Sequence, residues 1–219
     1  MFKKLLPLKP DPILGIVSKI NNDIRKNIIN LTVGELYFYE NNQKKLFDYN
    51  FIMNKLGKKP TEYLSNSSKY LPITGCTEFI NLSEKFIFGN NRNRSGLQTL
   101  SGTGSLTVGN QLLSMINTDI YIPHNSWPNH FNIFSNHKIY KTISDLDNIP
   151  DNSTVLFHTC CNNPTGIDYT DEEWEHIIYI MRNKNHLAFF DSAYLGLSSG
   201  SVKEDVKYIR TFENNNIPL

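Results

Sequence analysis

TVLFHTCCNNPTGIDYTDEEWEHIIYIMRNKNHLAFFD, residues 154–191, is the stretch of sequence that decides the fold. It contains two short apolar runs, TVLFH (154–158) and HLAFF (186–190), each with the length and composition of a buried strand. The segment between them is long enough for a helix. A strand, a helix and a second strand in this order predict a right-handed βαβ unit whose strands are parallel. The stretch therefore predicts an α/β fold.

The helix between the two strands is marked at its start and along one face. Thr170 and Glu173 have the spacing of a capping box, and the acidic residues between them favour the positive end of a helix dipole. Apolar residues then recur at helical spacing. This pattern predicts an amphipathic helix that buries Trp174, Ile177, Ile178 and Met181.

Polar residues follow both predicted strands, at 158–163 and at 191–194. Asn163 precedes a proline, which disfavours the helical region for it, so Asn-Pro-Thr-Gly is predicted to form a turn. In open parallel sheets, ligands bind beyond the carboxyl ends of the strands. We therefore expect a binding site where these two polar stretches meet.

A second unit of the same kind lies upstream. SGTGS (101–105) leads into a predicted helix, DIYIP (119–123) is the next strand, and NSWPNH (125–130) is predicted to be the loop beyond it. A turn rich in Gly, Ser and Thr that opens a helix presents free N–H groups, which favours phosphate binding. The face of this helix that is expected to be buried comprises Leu106, Leu112, Leu113 and Ile116.

The phosphate signal is weak by itself. Gly102 and Gly104 begin a dinucleotide fingerprint, but Thr107 stands where its last glycine should be. Gly104 and Gly109 have the Walker spacing, but Asn110 stands in place of the lysine. Taken alone, a turn that binds no ligand is the simpler interpretation.

The composition narrows the classes of function. The chain has 219 residues, enough for one or two domains, with 22 Lys+Arg against 21 Asp+Glu and a formal net charge of +1. This balance gives no basic footprint for nucleic acid or for an anionic membrane. No run approaches about 18 apolar residues, and Pro7 interrupts the apolar part of residues 1–12, which is too short for a secretory signal. A cytoplasmic protein without nucleic-acid or membrane partners is expected.

The three cysteines, Cys76, Cys160 and Cys161, are an odd and sparse set that predicts no disulfide framework. The adjacent pair lacks the C-x₂-C spacing with which two thiolates bind one zinc ion, so no metal site is expected. The simpler interpretation is that the pair are small buried residues at the end of a strand.

Four motifs in this order, SGTGS, NSWPNH, CCNNPTG and DSAYLG, resemble those of the aspartate aminotransferase branch of the fold-type I pyridoxal phosphate (PLP) enzymes. The resemblance covers nearly the whole chain, with stretches that are shorter than in the family around 137–153 and near 89–97. It implies a mostly parallel sheet with flanking helices, present here as an incomplete large domain. Further counterparts occur in the same order at DPILGI (11–16), INLTVGE (29–35), KYLPITGCTEF (69–79) and DSAYLGLSSGSVKEDVKYIRTF (191–212).

The resemblance implies roles for the residues around the cofactor ring. Asp191 matches the carboxylate at the ring nitrogen, which raises the pKa of that nitrogen and keeps it protonated. Asn163 and Tyr194 match hydrogen-bond partners of the ring's phenolic oxygen, and Trp127 matches an aromatic residue that stacks on the ring. His130 is similar to the histidine that supports the aspartate.

The resemblance also implies how the phosphate is held. Ser101, Gly102 and Thr103 match the residues that bind it with backbone N–H groups and hydroxyls at the helix start. Tyr70 matches a tyrosine that reaches the phosphate of the neighbouring subunit, which implies a homodimer with shared sites.

Substrate contacts are implied for Gly34, in a segment that closes over the substrate, and for Trp127 and Asn163. His158 is expected close to His130. The implied activity is transamination between aspartate or glutamate and 2-oxo acids. The implied domains are an N-terminal arm with a portion of the small domain, residues 1–45, and the first part of the large PLP-binding domain, residues 46–219.

The family's Schiff-base lysine lies in a Ser-x-Ser-Lys segment shortly after the position that residues 216–219 match. No lysine in the 219 residues has that context. The resemblance therefore implies a fragment that does not transaminate by itself.

Two alternatives stay open at this stage. The chain could be a catalytically inactive relic or interaction protein that keeps the pocket, in which case it would bind PLP without turnover. It could also be a nucleotide-binding protein based on Gly102-Thr103-Gly104, which would leave DSAY and NSWPNH unexplained. Each candidate residue has an ordinary structural interpretation when taken singly; it is the ordered set that favours the aminotransferase.

Overall fold

The computed structural model describes residues 14–30, 32, 34, 36–55, 57, 70–89, 94–116 and 118–219. The chain divides into two compact units, residues 1–70 and residues 71–219. The predicted domain boundary at residue 45 stays a prediction. All of the segment 1–12, and parts of the segments 11–16, 29–35, 69–79 and 89–97, lie outside the described residues.

The first unit contains helix α1 (Leu14–Asn21), strands β1 (Tyr37–Glu40) and β2 (Gln43–Leu46), and helix α2 (Tyr49–Lys55). The two strands pair antiparallel as a hairpin. Its turn is formed by the two asparagines at 41–42, whose φ angles of 52° and 60° lie in the left-handed region. Asn tolerates this region better than most residues, which suits it to a two-residue hairpin turn.

The second unit begins with helices α3 (Thr77–Phe88) and α4 (Ser101–Met115) and continues with alternating strands and helices. The remaining elements, in chain order, are β3 (Ile120–Pro123), α5 (Pro128–Ile133), β4 (Lys138–Tyr140), a 3₁₀ helix (Ile143–Asn148), β5 (Thr154–His158), α6 (Asp171–Asn183), β6 (Leu187–Asp191), α7 (Val202–Asp205) and α8 (Lys207–Asn214).

The four strands of this unit form one parallel sheet in the order β4–β3–β5–β6. Thr154 lies opposite Leu187, and His158 lies opposite Asp191, so β5 and β6 pair over their full length. This confirms the predicted parallel pair. Because both strands end at the same level, the polar residues that follow them lie at the same edge of the sheet.

Helix α6 begins as predicted. The Thr170 hydroxyl accepts a hydrogen bond from the Glu173 amide at 3.2 Å, and the Glu173 carboxylate accepts one from the Thr170 amide at 2.8 Å. Trp174, Ile177 and Met181 are buried, and Ile178 is half-buried. The capping box and the apolar face are therefore both confirmed.

Helices cover both faces of the sheet. Successive residues of a strand point to opposite faces, so Phe157 packs in a core cluster with Trp174 and Phe212, while Leu156 packs in a second cluster with Leu113 and Phe134. Two cores on opposite faces of a parallel sheet are typical of α/β architecture. The predicted α/β fold class is confirmed.

The predicted buried face of α4 is only half right. Leu106 and Leu113 are buried, whereas Leu112 and Ile116 are 58% and 56% exposed. The buried pair are seven residues apart and lie on one side of the helix, but Leu112 is about 100° around the axis from Leu113. The sheet-facing side also holds Gly109, where an added Cβ would lie 2.7 Å from the Phe189 ring. This glycine allows the helix to approach β6 closely.

The prediction that NSWPNH is a loop is wrong for its last three residues. Helix α5 begins at Pro128, with Trp127 as its N-cap residue. Proline is favoured at the first helical position because its fixed φ suits the helix and its missing N–H would have no partner there. Separately, no helix in the described part of the chain is both long and apolar enough to cross a membrane.

Candidate active site

A cavity of about 350 Å³ lies at the carboxyl ends of β5 and β6, in front of the first turn of α4. Leu106, Cys160 and Ala193 contribute to its wall. The structure brings eight of the predicted site residues together around it: Ser101, Gly102, Thr103, Trp127, His158, Asn163, Asp191 and Tyr194. The roles predicted for them stay predictions.

The first turn of α4 has no cap of its own. Its N-cap residue, Leu100, makes no side-chain cap, and the turn contains no acidic residue. A Cβ added at Gly102 would meet nothing within 4 Å, so the space beside this turn is open. Ser101 has a φ of 61°, in the left-handed region that costs a non-glycine residue about 1 kcal/mol or more. Within the part of the chain that the structure describes, the N–H groups of this turn have no side-chain partner, so they and the positive dipole end favour an anion here.

Asp191, the last residue of β6, also lines the cavity, with its side chain 20% exposed. Its Oδ2 is 2.8 Å from Nε2 of His130. Within the described residues, Oδ1 makes no hydrogen bond. One carboxylate oxygen is thus occupied by a histidine, and the other is available to a ligand in the cavity.

Behind Asp191 lies a chain of hydrogen bonds. The Ser126 hydroxyl is 2.7 Å from Nδ1 of His130 and 2.9 Å from Nε2 of His158. All three of these residues are at least nine-tenths buried. Buried polar groups of this kind are stable only when each has a partner, and here each side chain satisfies the next.

The direction of these hydrogen bonds follows from the charge on Asp191. An ionised carboxylate only accepts, so His130 carries its proton on Nε2 and, when neutral, accepts at Nδ1 from the Ser126 hydroxyl. The Ser126 oxygen then accepts from Nε2–H of His158. Every donor points toward Asp191, which stabilises the negative charge on that carboxylate.

The protonation state of His158 agrees with this direction of the hydrogen bonds. Burial, with a smaller contribution from nearby His130, lowers the pKa of His158 from 6.5 to about 4. The imidazole is therefore neutral at pH 7 and has a single N–H to donate. With that N–H on Nε2, the chain of donors needs no change of protonation.

Trp127, Asn163 and Tyr194 reach the cavity from three separate loops. The Trp127 ring meets the His130 ring edge-on, with centroids 5.6 Å apart and an interplanar angle of 89°. The Asn163 amide and the Tyr194 hydroxyl make no hydrogen bond within the described residues. Both are therefore available to a ligand.

This set of groups fits pyridoxal phosphate. The uncapped helix start suits the phosphate dianion, and the available Asp191 oxygen suits a protonated ring nitrogen. The indole of Trp127 can stack on the flat face of the ring. The Asn163 amide and the Tyr194 hydroxyl can donate hydrogen bonds to its phenolic oxygen. No donor or acceptor in the set conflicts with that ligand.

Gly34 and Tyr70 belong to the first compact unit. Tyr70 is fully exposed, and an added Cβ at Gly34 would meet nothing within 4 Å. The roles predicted for these two residues stay predictions.

Two residues of the site were not expected from the sequence. Ser126 lies in the loop before helix α5, outside any regular spacing, so no sequence pattern indicated its contact with His130. Cys160 and Cys161 were both expected to be small buried residues; Cys160 is buried but also lines the cavity, whereas Cys161 is only half-buried. Burial is the main cause that raises the pKa of the Cys160 thiol to about 12, so Cys160 is protonated at neutral pH.

A larger cavity of about 650 Å³ lies beside the first, and His158 lines both. Its wall includes Lys141, Asn162 and Asp168 and the capped start of α6. The helix start at this cavity already uses its own side chains as partners. The smaller cavity is therefore the better candidate for the active site.

Comparison with known proteins gives a consistent result. The family model for class I and II aminotransferases matches residues 26–218. Aspartate aminotransferase 1 of Medicago sativa is 35% identical over 237 residues, an alignment that covers 97% of this chain and 56% of the relative. The chain thus spans about half the length of the curated relatives that it matches.

Solved structures show the same similarity at the level of the fold. The cytoplasmic aspartate aminotransferase of Giardia lamblia superimposes with a TM-score of 0.84 at 29% identity, covering 99% of this chain and 57% of that one. The aromatic-amino-acid aminotransferase of Burkholderia pseudomallei, a structure covalently bound to pyridoxal phosphate, gives a TM-score of 0.83 at 26% identity. That match covers 99% of this chain and 59% of the other.

Proposed function

Because this chain belongs to the class I and II aminotransferase family, we propose that it serves PLP-dependent transamination between aspartate or glutamate and 2-oxo acids. The observation that carries the proposal is the state of Asp191, which is held by His130 on one oxygen and keeps the other available at the cavity. The substrates are proposed from the resemblance of the motifs and from the aspartate aminotransferases to which the chain is similar.

When bound, pyridoxal phosphate supplies an electron sink for charge that develops at the substrate's α-carbon. Asp191 would hold a proton at the ring nitrogen, because a carboxylate in contact favours the cationic form. The groups behind it, from His158 through Ser126 to His130, would fix the orientation of the carboxylate. All of the side chains that orient Asp191 belong to this chain.

The remaining side chains would bind and orient the cofactor. Ser101, Gly102 and Thr103 would hold the phosphate at the uncapped start of α4, and Trp127 would cover one face of the ring. Asn163 and Tyr194 would donate to the phenolic oxygen. Contacts with the substrate are proposed for Gly34, Trp127 and Asn163.

We expect the 219-residue chain by itself to bind the cofactor without transaminating. Within the described residues, no lysine lines the cavity that holds Asp191. A base at the substrate's α-carbon is needed to move its proton efficiently. Taken alone, the chain is therefore expected to bind pyridoxal phosphate without converting a substrate.

A homodimer and a cytoplasmic location complete the proposal. Tyr70 is fully exposed in the single chain, as a side chain that serves a neighbouring subunit would be. The similar protein of Giardia lamblia is described as cytoplasmic. Sedimentation of the purified chain would test the first part, and a dimer is expected.

Cofactor binding can be tested with the two tryptophans of the chain. Trp127 lines the cavity, whereas Trp174 is buried in the core, so pyridoxal phosphate should quench the fluorescence of Trp127 far more strongly. We expect saturable quenching that is lost in Trp127→Phe. Asp191→Ala should weaken the affinity at least about tenfold, because a charged hydrogen-bond partner of the ring is removed.

Two outcomes would contradict the proposal. If the chain does not bind pyridoxal phosphate, or binds it equally well after Asp191→Ala, the assignment of the cavity fails. If the purified chain converts aspartate and 2-oxoglutarate at an enzymatic rate that Asp191→Ala abolishes, the expectation of a pocket without turnover fails.

A further inference from the structure

The two loops that carry Asn163 and Tyr194 are joined at their starts by the hydroxyls of Thr159 and Ser192, 2.5 Å apart, and farther along by one carboxylate. Asp168 follows the Asn-Pro-Thr-Gly turn, and its Oδ1 accepts a hydrogen bond from the backbone amide of Asn162 at 3.3 Å. Its Oδ2 accepts another from the hydroxyl of Ser198, four residues after Tyr194, at 2.7 Å. A carboxylate has two oxygens that only accept, and here each oxygen holds a different loop.

We infer that Asp168 is a positioning residue, which fixes the distance between Asn163 and Tyr194 so that both can reach one acceptor atom of the ligand. The inference rests on the proposed function, because the shared acceptor is the phenolic oxygen of pyridoxal phosphate. Asp168 itself does not line the smaller cavity. It acts through the two loops.

The geometry explains why such a connection is needed. Asn163 follows β5 and Tyr194 follows β6, and each side chain is carried by a loop beyond its strand. The strands are fixed by their register, but loops move more freely than the strands that carry them. A binding group that is displaced by about 1 Å loses much of its effect. Two loops that serve one atom therefore need a common support.

Asp205 provides the matched comparison. This buried carboxylate accepts hydrogen bonds from the amides of Gly196, Ser198 and Ser199 and from the Ser199 hydroxyl. All of its partners lie in the Tyr194 loop. Asp205 therefore supports that loop alone, whereas Asp168 connects it to the loop of Asn163.

Stability is not the main contribution of Asp168. It is exposed, and hydrogen bonds at exposed sites contribute little to folding because water replaces them. Its contribution is expected in the position of the loops. Asp168→Asn changes few atoms and leaves the buried core intact, so the variant should fold, and Ser198→Ala removes one of the two connections from the other side.

The first test needs no cofactor. Amide hydrogen exchange of the unliganded chain is compared for the wild type, Asp168→Asn, Ser198→Ala and Asp205→Asn. We expect Asp168→Asn to accelerate exchange about two- to tenfold both at 162–166 and at 194–199, and Asp205→Asn to accelerate it only at 194–199. Exchange that is unchanged, or accelerated in only one of the two loops, in Asp168→Asn would overturn the inference.

The second test measures coupling by the affinity for pyridoxal phosphate. Asp168→Asn should weaken binding about three- to tenfold, and the effects of Asn163→Ala and of Tyr194→Phe should each shrink in the Asp168→Asn background. The effect of Thr103→Ala, at the phosphate end, should be additive. Full additivity with both Asn163→Ala and Tyr194→Phe would overturn a positioning role.

The two tests separate two kinds of failure. A wild-type chain that does not bind pyridoxal phosphate would overturn the proposed function, while hydrogen exchange would still decide whether Asp168 connects the loops. Normal cofactor binding with unchanged exchange in Asp168→Asn would overturn the inference and leave the proposed function standing.

Discussion

Helices α4 and α6 both begin beside a cavity that His158 lines, yet their first turns are built in opposite ways. Helix α6 satisfies its N–H groups with a reciprocal capping box and carries three acidic residues in its first turn. Helix α4 has an apolar N-cap residue and no acidic residue there. The same contrast separates Trp174 of α6, which is buried in the core, from Trp127, which lines the cavity beside α4. The α6 region satisfies its own polar groups, and the α4 region leaves its helix start available to a ligand.

The largest expected effect contrasts the two tryptophans. Trp174 is 2% exposed and stacks on Tyr208 with centroids 4.8 Å apart. Trp174→Ala should lower the free energy of unfolding by about 3–5 kcal/mol, because it opens a large cavity in the core. Trp127→Ala should cost much less stability and should weaken pyridoxal phosphate binding. Urea denaturation of both variants checks this, and equal destabilisation would remove the distinction between the two regions.

The next effect concerns pH. Because burial lowers the pKa of His158 from 6.5 to about 4, the unfolded chain binds more protons than the folded one between these values. The contribution of His158 to stability is therefore complete above about pH 6.5 and is lost as the pH falls to about 4. It amounts to about 3 kcal/mol. His186, whose pKa burial also lowers, acts in the same direction.

His158→Gln is the matched variant for this effect. The glutamine amide can still donate to Ser126 but cannot titrate. The free energy of unfolding of His158→Gln, measured between pH 4 and pH 7, should change less steeply than that of the wild type. An unchanged pH dependence would show that His158 is not held in its neutral form.

Ser126→Ala should have an intermediate effect. It removes the hydroxyl between two buried imidazoles and leaves His130 Nδ1 and His158 Nε2 without their partner. A loss of about 1–3 kcal/mol is expected in the free energy of unfolding. The affinity for pyridoxal phosphate should fall as well, because Asp191 loses its fixed support. An unchanged affinity with lowered stability would restrict Ser126 to a structural role.

The smallest effects exchange the properties of the two helix starts. Thr170→Ala removes the cap of α6 and should cost about 1 kcal/mol without changing pyridoxal phosphate affinity. Leu100→Asp gives α4 a cap, and since Leu100 is 91% exposed, little packing is lost. This variant should gain about 0.5–1 kcal/mol of stability and should lose cofactor affinity about tenfold, because its carboxylate competes with the phosphate. An affinity gain in Leu100→Asp would contradict the phosphate assignment.

The same contrast explains how much could be predicted from the sequence. The unit β5–α6–β6 was predicted correctly because its signals are local: apolar runs, a capping box at Thr170 and Glu173, and one apolar face. The residues around the smaller cavity were predicted from a resemblance of ordered motifs. Strand order then brings these motifs to one edge of the sheet.

What was missed depends on packing between distant elements. Hydrophobic spacing in α4 could not indicate that Leu112 and Ile116 would lie exposed, because packing against the sheet selects the side that holds Leu106 and Leu113. Ser126 acquires its role only when β5 brings His158 beside it. The two roles of Asp168 likewise require the loops after two different strands to meet.

The protonated thiol of Cys160 has a chemical consequence if the cavity binds an aldehyde cofactor, as proposed above. Thiolates add readily to aldehydes and to alkylating reagents, whereas thiols react far more slowly. A pKa of about 12 keeps the sulfur of Cys160 in its unreactive form at neutral pH. The cavity wall can therefore include a sulfur atom that does not form a covalent adduct with a bound aldehyde.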